Sequence, residues 1–366
     1  LSRLAEILPR RIDVKLLGLT VALTAIGIAM VISTTAGTPR AALGGRQTIF
    51  AALGLLGAGI LVAIDYRFLL QYSPGLWAAS LLPLVWLPLF GHRINGAKSW
   101  IRFGTGIQIQ PSEIVKLSTA LLLAWILEND DRAYLRPRTV AALAGAMAIP
   151  LLLVLAQPDL GVALTYMPMM LAALFFGGLR TRWWILLVLT GVLTVGGSWF
   201  ALKDYQKDRI RTFMDPSLAA RGAGYQVRQA KIAVGSGGIL GKGWEKGTQS
   251  RLGFLPVRHT DFVFAALAEE WGFVGVAVVL GLYVMFLARA FALAKDARDR
   301  GGSMLVLILA SALAVQAVVN IAMNVGLLPT TGITLPFLSY GGSSLIVCWA
   351  MVGLMLSVAY RRFVNI

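Results

Sequence analysis

Ten stretches of predominantly apolar sequence, divided by short polar punctuation, restrict this chain to one class of fold. A helix that crosses a bilayer needs about 20 apolar residues. Candidate spans lie at residues 13–35, 44–64, 73–90, 111–128, 138–157, 160–179, 182–202, 262–290, 302–327 and 339–360. Several are apolar all round and carry no amphipathic stripe, which marks a helix surrounded by lipid or protein. The composition agrees: 57% of the 366 residues are hydrophobic and 14% are charged, where a soluble chain would carry roughly 25% charged residues. The expected fold is therefore an all-α polytopic membrane protein of ten transmembrane helices. Pro83 and Pro88 should shorten or kink the third span. No repeat or low-complexity tract divides the chain, so residues 1–366 read as a single membrane domain. No cleavable signal peptide is expected.

Lysine and arginine give the orientation, because they concentrate on the cytoplasmic side. With the N-terminus inside, the inner segments hold Arg3, Arg10, Arg11, Lys15, Arg67, Arg132, Arg136, Arg138, Arg180, Arg182, Arg289, Lys295, Arg298, Arg300, Arg361 and Arg362. The short outer loops hold only Arg40, Arg46, Arg93, Lys98 and Arg102. Both termini are thus expected in the cytoplasm.

One outer segment breaks the pattern. Residues 203–261, between the seventh and eighth spans, carry Lys203, Lys207, Arg209, Arg211, Arg221, Arg228, Lys231, Lys242, Lys246, Arg251 and Arg258. A long loop escapes the charge rule, and one of this length is more often functional than a plain connector. It reads either as a solvated segment near anionic headgroups or as a site for an anionic substrate. Tyr225, Ile232, Val234, Ile239, Leu240, Trp244, Phe254 and Leu255 are expected to pack within it. One Cys and two His leave no disulfide framework and no His/Cys metal cluster.

Five motifs carry candidate chemistry. The run 235–243, Gly-Ser-Gly-Gly-Ile-Leu-Gly-Lys-Gly, is not a phosphate-binding P-loop: Ser236 stands where the first Gly is needed, and Gly243 where a Ser or Thr must follow the lysine. Its glycines suit tight turns or close backbone approach to a ligand such as pyrophosphate. Gln110-Pro111-Ser112-Glu113-Ile114-Val115-Lys116 opens the fourth span, and Glu113 and Lys116 can pair at i,i+3; ionisable groups at such depth face the protein interior or a wet cavity. Gln157-Pro158-Asp159-Leu160-Gly161 reads as a turn with Asp159 capping the next helix. Asp261, in His259-Thr260-Asp261-Phe262, reads either as a helix cap or as a base that accepts the proton of a sugar hydroxyl. With a pyrophosphate leaving group, cations rather than a partner acid can stabilise the departing charge. At least one of Glu269 and Glu270 must face inward. Asn320, Asn324 and the run 326–344 form the last outer turn, either a wall of a head-group site or plain loop packing.

These motifs together resemble the SEDS family (shape, elongation, division and sporulation), the peptidoglycan glycosyltransferases of the bacterial inner membrane. The pieces are QPSEIVKL, QPDLG, GAGYQVRQAKIAVGSGGILGKGW, FLPVRHTDFVFAALAEEWG and GLLPTTGITLPFLSYGGSS, in family order. The stretch 242–250 is similar to the elongation branch of the family rather than the division branch. The resemblance implies ten helices, polymerisation of lipid II into β-1,4-linked strands with inversion, and release of undecaprenyl pyrophosphate on the periplasmic side. It places the family's essential Asp at Asp261 and its paired Glu and Lys at Glu113 and Lys116. Arg209, Arg211, Lys242 and Arg258 are then candidate pyrophosphate ligands. The implied partners are the nascent glycan strand, membrane lipid and a cognate class B penicillin-binding protein; no nucleic acid is expected. No built-in cofactor is expected, although a divalent cation, Mg or Mn, at the pyrophosphate is compatible with that chemistry. A lipid II flippase and a non-catalytic scaffold for a transpeptidase are the rival readings. The absence of an inner nucleotide motif and of related halves argues against the first.

Overall fold

A computed structural model describes residues 12–362, apart from 91, 95–96, 104–106, 131, 199–206, 208–210, 212–222 and 256. Among them are thirteen helices and one small antiparallel sheet. In chain order the helices are α1 (Val14–Thr35), α2 (Ala42–Ala63), α3 (Tyr66–Gln71), α4 (Ser73–Phe90), α5 (Pro111–Glu128), α6 (Pro137–Ala156), α7 (Leu160–Gly177), α8 (Thr181–Ser198), α9 (Ala223–Ser236), α10 (Thr248–Arg251), α11 (Val263–Lys295), α12 (Arg300–Asn324) and α13 (Gly342–Arg361). Strands β1 (His92–Ile94), β2 (Ala97–Phe103) and β3 (Ile107–Ile109) form a meander between α4 and α5.

Among the described residues, seven helices are long and apolar enough to cross a membrane: α1, α2, α6, α7, α11, α12 and α13. The chain is a multi-pass membrane protein. The other three expected spans are helices too. α4 and α8 contain shorter apolar stretches, and α5 carries Glu113 in its first turn and Lys116 in its second. Leu53, Leu56, Val188, Leu189, Val192 and Leu193 are exposed on α2 and α8, an apolar exterior of the kind that lipid covers.

Local chemistry starts and stops the helices where the sequence suggests. Asp13, Asp159 and Asp299 accept from backbone amides of the first turns of α1, α7 and α12. Pro111 and Pro137 occupy first-turn positions, where a missing N–H costs nothing. Gly178 closes α7 in the left-handed conformation. Thr20 and Thr24 lie inside α1 and donate to carbonyls four residues earlier, at 2.9 and 2.8 Å, so neither hydroxyl is left unpaired in the interior.

The core is built around α5, α11, α12 and α13, the four helices that bury the most residues. α13 lies along α2, with Gly54 beneath the Trp349 ring and Gly353 against the backbone of Ala58. Small residues at these crossings let helices approach closely, which is the main source of packing energy where lipid is as apolar as leucine. On the inner side expected from the charge pattern, ion pairs join Arg289 to Asp13, Arg67 to Asp299 and Arg361 to Asp65.

The basic segment departs from expectation. Leu255 is buried, and Ala230 and Ala233 of α9 join it with Phe262, Ala265 and Met323 in a small apolar cluster. Ile239, Leu240, Trp244 and Phe254, expected inside, are instead exposed. The segment docks through the alanine face of α9 and through its own backbone, so its largest apolar side chains are left pointing outward.

Candidate functional site

Residues 257–262 form a tight turn ahead of α11. Phe262 rather than Asp261 takes the N-cap position of α11, and Asp261 lies one residue ahead of it. Its backbone is held from three sides. Asn320 and Asn324 each donate a side-chain N–H to the Asp261 carbonyl at 3.0 Å. Ser339 donates to the Thr260 carbonyl at 2.6 Å, and the Tyr340 amide donates to His259 at 2.8 Å. Arg258 donates from Nε to the Thr34 carbonyl at the end of α1, at 2.7 Å. Val257 and Phe337 hold positive φ values of 53° and 67°. Such conformations persist only where the surroundings over-determine them, as these bonds do.

The run 326–344 forms the facing wall. Asn320 also bonds the Ile333 carbonyl at 2.7 Å, Gln316 bonds Thr334 at 3.0 Å, and Gln47 bonds the Ser339 carbonyl at 3.0 Å. Gly332, in the left-handed conformation, lies beside Asp261, with the site of an added Cβ 3.8 Å from its Oδ2. Gly161 touches the Thr331 carbonyl so closely that no side chain fits. Gln110 bonds the Asp159 carboxylate at 3.2 Å, and its amide donates to Ser343. The openings of α5, α7 and α11 and the last turn before α13 therefore meet at one end of the bundle. Motifs separated by more than two hundred residues in the chain become one surface.

Glu113 and Lys116 pair at 3.0 Å, and the Lys116 side chain is 1% exposed. Tyr166 bonds the adjacent Ser112 carbonyl at 2.6 Å. The pair is part of the helix packing behind this end of the bundle.

Lys242 is engaged by the protein itself. Its ammonium pairs with the fully buried Glu269 at 2.8 Å and donates to Thr248 at 2.7 Å. Glu269 also accepts from the amides of Gln249 and Ser250 at 2.8 and 3.1 Å, which fastens α10. Glu270 takes the Ser33 hydroxyl at 2.7 Å. Both acidic residues of the pair face inward.

The glycine run explains this placement. Gly272 breaks α11 with φ 65° and ψ −163°, a region essentially reserved for glycine. At the break, the amides of Phe273 and Val274 bond the carbonyls of Gly238 and Ile239, at 2.9 and 3.1 Å. The carbonyls of Glu269 and Glu270, which those amides would otherwise reach, accept from Lys242 and Gly243, both at 3.0 Å. The run 237–243 is thus inserted into the helix's own ladder. A Cβ at Gly237 or Gly241 would collide with helix carbonyls. These glycines approach protein backbone, and the amides of Lys242 and Gly243, expected as a pyrophosphate cradle, are occupied by it.

Of the other basic candidates, Arg209 lies outside the described residues, and Arg211 is exposed. Two cations missed as site residues stand near the Asp261 turn. Arg40, from the α1–α2 connection, acts with Arg258 on His259; burial first, then these charges, push its imidazole down to about 4. Burial, opposed by Glu270, also lowers Arg258 with Arg40. Arg46 of α2 bonds the Tyr340 side chain, partly offsetting the rise that burial gives its phenol. In sequence, Arg40 and Arg46 were merely sparse outer-loop charges, and nothing local links them to residue 259. Among the described residues no three His, Cys, Asp or Glu side chains group as a metal site.

Residues 14–363 match the family described as cell cycle protein, comprising FtsW, RodA and SpoVE. The chain is 39% identical over 312 residues to the peptidoglycan glycosyltransferase MrdB of Escherichia coli K12, covering 85% of this chain and 84% of that protein. It resembles a chain solved in work on polymerization and crosslinking by a peptidoglycan synthase complex, with TM-score 0.84 and 36% identity over 97% of this chain and 99% of that one. It also resembles the rod shape determining protein RodA of Thermus thermophilus, with TM-score 0.72 and 35% identity over 97% and 98% of the two chains. The agreement of motifs, helices and whole-chain similarity places this chain in the FtsW, RodA and SpoVE family, the SEDS proteins.

Proposed function

We propose that this chain is a peptidoglycan glycosyltransferase that polymerises lipid II into β-1,4-linked glycan strands during cell elongation. The observation that carries the reading is the Asp261 turn: a carboxylate beside Gly332, on a backbone fixed by Asn320 and Asn324, in a turn that also carries Arg258, itself close to Arg40. In this reading Asp261 accepts the proton of the acceptor sugar hydroxyl as its oxygen bonds to the anomeric carbon of the donor. The bond from that carbon to the pyrophosphate breaks with inversion, and the electron pair leaves on undecaprenyl pyrophosphate. Arg258, Arg40 and Arg46 would balance that charge, joined by Arg209 and Arg211 of the basic segment. Lys242 acts through Glu269 by holding the segment in place. Glu113 and Lys116 shape the lipid path. A divalent cation, Mg or Mn, would be held by the pyrophosphate itself, and no step here depends on it.

The reading puts both termini in the cytoplasm and the Asp261 end of the bundle on the periplasmic side. It pairs the chain with a class B penicillin-binding protein that crosslinks the product, in keeping with the synthase complex it resembles. The test is polymerisation from purified lipid II by the wild type and by Asp261→Asn, each with and without that partner. Polymer from the wild type and a loss of about 10²–10⁴-fold in a folded, partner-binding variant is expected, the range for a general base. Equal turnover would remove Asp261 from the chemistry. No polymer from either would favour lipid II translocation or a scaffold role.

A further inference from the structure

The exposed side chains of Ile239 and Leu240 lie beside the break in α11, bonded through their turn to Phe273 and Val274. Residues 263–270 of α11 are all buried in protein, and lipid-type exposure starts just past the break, at Phe273, Val274 and Val278. From Phe273 to Arg289, whose ion pair with Asp13 lies on the inner side, the helix rises about 24 Å at 1.5 Å per residue, against a hydrocarbon core of about 30 Å. Phe273 therefore falls within that core, towards its outer edge. Gly238 and Ile239 are hydrogen-bonded to the amides of Phe273 and Val274, so the turn that carries them sits at the same depth. At that depth water is scarce, and irregular backbone is tolerated only with its polar groups satisfied. The exchange of bonds between the turn and the broken helix meets that condition. Leu240 is 79% exposed, Ile239 72% and Phe273 68%.

The residues that follow in the chain have the composition of an interfacial segment. Lys242 comes next, then the half-exposed Trp244, then the exposed Lys246 and Arg251. Aromatic rings with one polar edge favour the headgroup level, and basic side chains favour anionic headgroups beyond it. Apolar tip, tryptophan and cations in this order fit a lipid surface better than a protein partner.

We propose that the 238–242 turn is a membrane-interface anchor: Ile239 and Leu240 enter the hydrocarbon edge beside Phe273 and Val274. The bilayer thereby holds the Lys242–Glu269 strap, and with it α10, at a set height above the membrane. The anchor stands whether or not Asp261 is the base.

Site-directed nitroxide labelling of the full chain in phosphatidylethanolamine–phosphatidylglycerol vesicles tests this. In a Cys348→Ala background, Ile239→Cys, Leu240→Cys, Phe273→Cys and Lys246→Cys are labelled one at a time. Collision with oxygen is compared with collision with a water-soluble nickel complex. Labels at 239 and 240 should show the high oxygen-to-nickel ratio of the label at 273, well above that at 246. A ratio equal to that at 246 would place the tip in water and overturn the anchor. Shielding from both reagents would also overturn it and would show a protein covering instead. The two exposed tip positions report independently, so failure of one variant to fold leaves the other decisive.

Discussion

Asn320 joins Asp261 to Ile333: its side-chain amide donates to both backbone carbonyls, at 3.0 and 2.7 Å, from a fully buried position at the end of α12. The candidate base and the loop facing it are thereby held by one side chain. Asn320→Ala leaves two carbonyls short of a donor, which should destabilise the turn by about 1–3 kcal/mol. Glycan polymerisation should fall while the far helices keep their stability. Unchanged turnover, with unchanged amide exchange over 257–262, would show that Asn324 and Ser339 suffice.

Glu269 is the keystone of the basic segment. It is fully buried and binds Lys242, Thr248 and the amides of Gln249 and Ser250. Glu269→Ala leaves the Lys242 charge without its counter-ion, a change of the kind that costs about 3–5 kcal/mol in buried pairs, reduced here because Lys242 is a quarter exposed. Hydrogen exchange should accelerate over 242–252 and stay slow over α12 and α13. Uniform acceleration throughout would mean that the segment unfolds only with the whole protein.

The Glu113–Lys116 pair separates packing from function. Lys116→Met alone leaves a buried carboxylate unpaired and should cost about 3–5 kcal/mol. Glu113→Leu with Lys116→Met removes both charges and should recover most of that loss in thermal unfolding. A stable double variant that polymerises normally would make the pair purely structural. A stable but inactive one would place it on the lipid path.

His259 should titrate far from its usual range. Its value is about 4 in the folded turn, against 6.5 for the free side chain. Between those values the opened turn binds a proton that the native turn does not. The turn's stability is therefore complete above pH 6.5 and declines as pH falls towards 4. In a His92→Gln variant, which leaves His259 as the one histidine, the imidazole resonance should titrate near 4. A midpoint near 6.5 would mean that the imidazole is neither buried nor confronted by Arg40 and Arg258.

Apolar length and local caps made the helices legible: α5 begins at Pro111 and ends at Glu128, as its sequence indicates, and Asp159 caps α7. The motifs carrying Asp261, Glu113, Lys116, Asn320 and Asn324 could be named for the same reason, since each is a short pattern with its own chemistry. The sequence could not show that Phe262 rather than Asp261 takes the N-cap position, because one residue's shift in the start of α11 decides it. Nor could it show that Lys242 pairs with Glu269, that Arg40 reaches His259, or that Ile239 and Leu240 point outward. Helix formation and bilayer crossing depend on residues a few positions apart, which the chain itself sets side by side. The site depends on contacts between residues dozens to hundreds of positions apart, and only the packing of α1, α2, α11 and α12 brings those together.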